Sequence, residues 1–302
     1  MRLTKRLKRG LTLFLTRTMN SLLNCLPRKA ALFVGATLGL MAWGLLPKER
    51  YKIVRHLSLV YGDEMSYREK ERTAQRFFVG SGKSLVEVLR FRRHYNSEIR
   101  ELIEVEGLEH LDRAYKAGKG VIGFTGHLGN FELLAVHVAG LGYKTAVIGR
   151  EMYDRRLDKM LVENREALGV HNISTTDSAR KILTWLKNGG VLGVLIDIDS
   201  IRIRSTFVPV FGRLALTPIG QTNIGLRAGS AFVPCACLRT ERDRYRLIFR
   251  PEVKIERSDN FDADVDRMTA ACTAVLEEII DQYRDQWIWM KNRWLTSPRN
   301  SA

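Results

Sequence analysis

Between Ile103 and Ile196 short apolar runs alternate with helical stretches, and this rhythm constrains the fold more than any other feature of the chain. Val121–Thr125, Lys144–Ile148, Asn172–Ile173 and Val191–Ile196 read as strands. The stretches that end at Ala117 and Leu141, Arg155–Leu168 and Asp177–Lys187 read as helices. A strand–helix–strand alternation of this kind predicts an α/β fold with a mixed, largely parallel sheet flanked by helices. Downstream, Ser230–Arg239 and Arg244–Lys254 read as a hairpin, and Phe261–Tyr283 as a closing amphipathic helix. Upstream, Lys48–Phe91 is helical in pattern, with Ser66-Tyr67-Arg68-Glu69 as a capping box and an apolar face through Phe77, Phe78, Leu85, Val86 and Leu89.

One strand leads into residues that carry chemistry. Gly126-His127-Leu128-Gly129-Asn130-Phe131-Glu132 follows the apolar run Val121–Thr125 and precedes a helix for which Asn130 is the N-cap. His127 then lies on the loop at the carboxyl end of a strand, where open α/β sheets place ligand sites. A neutral imidazole can take a proton from a hydroxyl near neutral pH, and a carboxylate within reach can fix its tautomer. His127 and Glu132 are the candidate base and orienter, and the motif holds no Ser or Cys nucleophile. Direct attack by a substrate hydroxyl is therefore expected, with the backbone at Gly129 and Asn130, or Arg150, as candidate donors to the oxyanion. The bland alternative is a surface histidine beside a helix-starting glutamate.

The N-terminus bears on where such a chain works. Arg2, Lys5, Arg6, Lys8 and Arg9 precede Ala30–Pro47, an apolar and glycine run of marginal length for crossing a bilayer, with basic residues on both flanks. The expected organisation is a basic N-terminus with a membrane-associated hydrophobic helix over 1–47 and a catalytic domain over 48–302. The alternative is a buried core helix. The net charge of +16 calls for an acidic partner: an anionic membrane surface or an acidic carrier protein. Nucleic acid is not expected, since no zinc-finger spacing, RNP-type strand or basic heptad region is present. Cys25, Cys235, Cys237 and Cys272 include no CxxC pair and read as buried reduced thiols, so no metal is expected.

Two further blocks stand out. Asp197-Ile198-Asp199 ends a strand and is followed by Arg202, Arg204 and Arg213, which reads as salt-bridging in preference to a Mg²⁺ site. Gln286-Trp287-Ile288-Trp289-Met290-Lys291-Asn292-Arg293-Trp294 interleaves aromatics with cations, as at an interface or acyl entrance, or in a packed C-terminal segment.

These blocks together resemble the late acyltransferases of lipid A synthesis, the lauroyl/myristoyl transferase family. The resemblance runs from about Arg50 to Trp294, through His127–Glu132, Arg150, Leu157 with Arg165–Gly169, Asp197–Asp199 with Phe207–Gly212 and Thr217-Pro218, and Gln286–Trp294. It implies a glycerolipid-acyltransferase-like fold on the cytoplasmic face of the cell inner membrane. It further implies transfer of an acyl group from acyl-carrier protein to a hydroxyl of a lipid A precursor, with no cofactor beyond that co-substrate. On the matching positions His127 is the base and Glu132 its partner. Arg150, Asp197 and Asp199 lie around the acceptor or oxyanion, and Arg202 and Arg204 join them as substrate-binding candidates. The chain departs from the family pattern at Glu151–Asp154, at Ile198 and at Lys291–Arg293, which bears on the acceptor more than on the reaction. Relatives of the family acylate other glycolipids or lysolipids. A phospholipid-glycerol acyltransferase shares the chemistry but usually carries Asp at the Glu132 position. A non-catalytic module for anionic membranes or carrier protein is the alternative from another class.

Overall fold

The computed structural model describes residues 21–149, 155–175, 179–296 and 298. Its centre is a seven-stranded sheet in the order β1-β9-β8-β2-β5-β3-β4. The strands are β1 (Ile103–Glu106), β2 (Val121–Thr125), β3 (Thr145–Gly149), β4 (Val170–Ser174), β5 (Val191–Leu195), β8 (Ala231–Arg239) and β9 (Tyr245–Phe249). Every neighbouring pair is parallel except the β8–β9 hairpin. The predicted rhythm is therefore the observed one. β2, buried along its whole length, sits between β8 and β5 at the middle of the sheet.

Helices cover both faces. α4 (Leu108–Lys116), α5 (Phe131–Gly140), α6 (Arg155–Glu166), α7 (Ala179–Lys187) and α8 (Gly220–Ala228) connect the strands, and α9 (Phe261–Gln282) closes the fold. Met268, Leu276 and Ile279 of α9 pack with Phe124, Val194 and Phe232, while Leu133 and Val136 of α5 pack with Val121, Val191 and Cys235. The hairpin β6 (Ser205–Val210) and β7 (Arg213–Pro218) forms a separate two-stranded sheet against α9. That hairpin has no counterpart in the strands read from sequence.

The N-terminal part is α1 (Arg28–Leu45), α2 (Pro47–Tyr61) and α3 (Tyr67–His94), the last opened by the expected capping box at Ser66. The apolar run ends where Pro47 forces a new helix, and the pair bends by 86°. No single described helix is long and apolar enough to cross a membrane. α1 lies against α3 on a glycine face: a Cβ at Gly35 would sit 2.7 Å from the Gly82 carbonyl oxygen, and one at Gly39 2.3 Å from that of Phe78. Its other face leaves Phe33, Leu38, Leu40, Met41 and Leu45 exposed. α1 is thus half core helix and half uncovered apolar surface.

Candidate active site

Sheet register explains the site. Thr125 of β2 pairs with Leu195 of β5, and two residues beyond each lie His127 and Asp197. His127 Nδ1 is 2.8 Å from Asp197 Oδ1. The His127 backbone N–H and the Trp287 indole N–H both donate to Oδ2, at 2.7 and 2.8 Å. The carboxylate is 5 % exposed, so burial pushes its pKa up, but the His127 and Trp287 bonds outweigh burial and leave it below its ordinary value. An ionised Asp197 accepts a proton bond from Nδ1, which leaves the lone pair on Nε2. Gly126 makes room for this, because a Cβ there would meet Asp197 Oδ2 at 2.9 Å.

The C-terminal segment forms the next wall. Trp287 bridges Leu128 in antiparallel fashion, and the Ile288 N–H donates to the His127 carbonyl. Trp287 and Trp289 are buried, so this segment is packed into the fold. It carries Lys291, whose Nζ lies 2.8 Å from His127 Nε2. Burial lowers the Lys291 pKa, while Asp197 works in the other direction.

His127 lines a cavity of about 900 Å³ whose walls come from the sheet strands and from helices α4 to α8. Its walls are mainly apolar, including Leu134, Val147, Leu161, Val191 and Val233. Gly123 and Gly193, in register on β2 and β5, both line it, so two adjacent strand positions contribute no side chain to its volume. Thr125 also lines it, and its buried Oγ1 has no hydrogen-bond partner among the described residues.

The structure redistributes the roles expected from sequence. Glu132 lines the same cavity but does not orient His127. Its oxygens accept from Arg165 Nε and Nη2 at 2.9 and 2.5 Å, and Arg165 Nη1 donates to Asn172 Oδ1 at 2.7 Å. The helix that begins at Phe131 places Glu132 towards α6 and β4, and Asp197 holds the imidazole. Asn130 is the N-cap as expected, its Oδ1 accepting from the Leu133 N–H. The oxyanion assignment to Gly129 and Asn130 is corrected. The Gly129 N–H donates to the Gln286 carbonyl at 3.0 Å and the Asn130 N–H to the Cys237 carbonyl at 2.8 Å, so both amides are spent on the fold. Gly129 has φ +58°, and a Cβ there would lie 2.1 Å from the Cys237 oxygen.

Asp199 accepts from the N–H and hydroxyl of Thr296 and so tethers the C-terminal segment. The expected aspartate–arginine bridges are replaced: exposed Arg204 pairs with Asp262, Arg213 donates to the Leu59 carbonyl, and Arg202 sits exposed on the cavity rim. Arg150 lies outside the described residues. Cys235, Cys237 and Cys272 are free and buried as expected, and burial pushes the Cys235 thiol up to about 12, but Cys25 is exposed and corrects the expectation of four buried thiols. Sequence reasoning placed Trp287 and Lys291 in an aromatic and cationic block at an interface or acyl entrance, without a role beside His127, and gave Thr125 no role. The register that joins β2 to β5 was the missing information.

The arrangement is a buried carboxylate, an imidazole with its acceptor nitrogen at an apolar cavity, and a cation beside that nitrogen. It can deprotonate a hydroxyl next to a bound hydrocarbon chain. Comparison with known proteins decides the family, since the sequence model for "Bacterial lipid A biosynthesis acyltransferase" matches residues 3–296. The chain belongs to that family. It is similar to the lipid A biosynthesis lauroyltransferase of Escherichia coli (strain K12), 28% identical over 282 residues, covering 90% of this chain and 88% of that one. The lipid A biosynthesis palmitoleoyltransferase of the same organism is 25% identical over 283 residues, covering 90% and 87%. A phosphatidylinositol mannoside acyltransferase of Mycolicibacterium smegmatis (strain ATCC 700084 / mc(2)155) is 22% identical over 204 residues, covering 66% and 65%. The protein is an acyltransferase with a mixed α/β fold.

Proposed function

We propose that this acyltransferase moves a fatty acyl group from acyl-carrier protein to a hydroxyl of a lipid A precursor at the cytoplasmic face of the inner membrane. The observation that carries the reading is His127, held by Asp197 through Nδ1 and lining the apolar cavity. The acyl chain occupies the cavity, which leaves the thioester carbon near Nε2. The acceptor hydroxyl gives its proton to Nε2 as its oxygen attacks that carbon. The tetrahedral oxyanion collapses, the C–S bond breaks, and the carrier thiolate takes the proton back from the imidazolium. Products are the ester and the free thiol, with no covalent enzyme intermediate and no cofactor.

Asp197 acts as the orienter in this reading, in the place first given to Glu132. Lys291 must leave Nε2 when the hydroxyl arrives, and its ammonium is then beside the reacting oxygens, where it offsets the oxyanion's charge. Glu132 and Arg165 form a second polar feature of the cavity wall. The +16 charge suits an acidic carrier, a phosphorylated acceptor and an anionic bilayer, and the uncovered face of α1 suits the membrane.

The test is purified enzyme with acyl-loaded carrier protein and extracted lipid acceptor, read as a mass gain on the lipid. Transfer by wild type and its loss in His127→Ala support the reading, and full transfer by His127→Ala overturns it. Supplying a mannosylated phosphoinositide beside the lipid A precursor separates the leading acceptor from the one suggested by the mycobacterial relative.

A further inference from the structure

The loop leaving β5 has a composition that its place in the fold does not require. Ile201-Arg202-Ile203-Arg204 alternates apolar and cationic residues, and all four are exposed, Ile201 at 78% and Ile203 at 52%. Single exposed isoleucines are ordinary on protein surfaces. Two in a four-residue stretch, each followed by an arginine, pair an apolar tip with cationic side chains long enough to reach back along it.

Its position gives the composition meaning. Ile201 lies four positions beyond Asp197, so its Cα lies within ~14 Å of the Asp197 Cα. Arg202, Ile203 and Arg204 line the cavity that His127 also lines. Arg204 meets Asp262 at 3.1 Å, but both are about two-thirds exposed, and such a pair is weak and readily exchanged for another anion. Arg213, past the β6 strand that follows the loop, donates to the Leu59 carbonyl of α2, which ties this hairpin to the N-terminal helices with their own uncovered apolar face. A surface with exposed hydrocarbon at its tip and guanidinium groups beside it is complementary to an anionic bilayer: isoleucine enters the acyl layer and arginine takes the phosphates.

We propose that the loop Ile201–Arg204 inserts into an anionic bilayer leaflet and holds the cavity mouth against it, so that a lipid acceptor reaches His127 without crossing water. The loop is a second membrane contact, distinct from α1. The proposal deepens the acyl-transfer reading and rests on it for the acceptor, but membrane contact is measured without catalysis.

The experiment is co-sedimentation of the whole protein with phosphatidylcholine vesicles containing or lacking phosphatidylglycerol, at low and raised salt. Wild type binds the anionic vesicles more tightly, and salt weakens the binding. Ile201→Asp weakens it on the order of tenfold to a hundredfold, the range for keeping one isoleucine side chain in water. Ile201→Leu binds as wild type, and equal melting temperatures show that all variants are folded. His127→Ala binds vesicles normally, so failure of the chemistry and failure of the membrane contact are read separately. Equal binding by wild type and Ile201→Asp overturns the proposal. So does normal vesicle binding by Ile201→Asp combined with a raised KM for the acyl-carrier donor, which would make the loop a protein-docking surface.

Discussion

Asp197 and Glu132 are carboxylates near the same cavity, but their partners give them opposite uses. Asp197 faces an imidazole, the group that takes the proton in the proposed mechanism, where its negative charge would stabilise the imidazolium. Glu132 faces Arg165, whose guanidinium is charged throughout, so its negative charge is already neutralised. A carboxylate contributes to acid–base work when its partner titrates, and otherwise it holds two elements together. Glu132 lies five positions from His127 and Asp197 seventy, yet the longer separation makes the electrostatic pair.

The largest effect expected is at the shared centre. His127→Ala removes the base and lowers kcat by about 10²–10⁴-fold while leaving the melting temperature within a few degrees of wild type. Asp197→Asn tests one side of the contrast. It keeps the shape, but no longer enforces the Nδ1–H tautomer or stabilises the imidazolium, and kcat falls by about 10²–10³-fold. Glu132→Gln tests the other side. It leaves Arg165 short of a charged partner, costs about 1–3 kcal/mol in urea unfolding, and lowers kcat by less than about tenfold. Equal kcat losses in Asp197→Asn and Glu132→Gln would break the comparison and return Glu132 to the acid–base step.

The legible part of this molecule was whatever local pattern encodes. The strand–helix rhythm gave the largely parallel sheet, Asn130 gave the helix start, and Ser66–Glu69 gave the opening of α3. The position of His127 at the end of β2 followed from the same pattern. The imidazole's partner did not, because it depends on β5 lying beside β2 and on the pairing of Thr125 with Leu195. The β6–β7 hairpin was missed for a related reason: Pro209, Gly212 and Pro218 interrupt a strand pattern that is stabilised by pairing and by α9. The amides of Gly129 and Asn130 looked free in sequence because Gln286 and Cys237, which accept from them, are far away along the chain.

A smaller effect sharpens the Asp197 side. Trp287→Phe removes one of three donors to that carboxylate and keeps most of the ring packing against Trp289. The bonds from His127 remain, so the imidazole stays oriented but is less firmly held. Losing one such bond is worth about 0.5–1.5 kcal/mol, which corresponds to a two- to tenfold drop in kcat at constant KM. A loss as large as that of Asp197→Asn would mean that Trp287 positions the segment carrying Lys291 as much as it holds the carboxylate.

The same distinction separates two histidines, and here the readout is stability. His137, on α5, is 3% exposed, and among the described residues its ring hydrogen-bonds the Tyr95 hydroxyl through Nδ1 at 2.9 Å. Burial, with a smaller contribution from Arg100, lowers its pKa from 6.5 to about 4. The folded protein therefore holds the ring neutral where the unfolded chain has begun to protonate it. Between about pH 6.5 and 4 the unfolded state binds more protons, so stability present above pH 6.5 is lost progressively as pH falls through that window. Urea unfolding at a series of pH values is expected to show this slope in wild type. In His137→Gln, whose side-chain amide can still hydrogen-bond Tyr95, the slope flattens while transfer activity near neutral pH changes little. An unchanged slope would assign the acid sensitivity to other groups, and a large loss of transfer would place His137 in the active site rather than in the core beneath it.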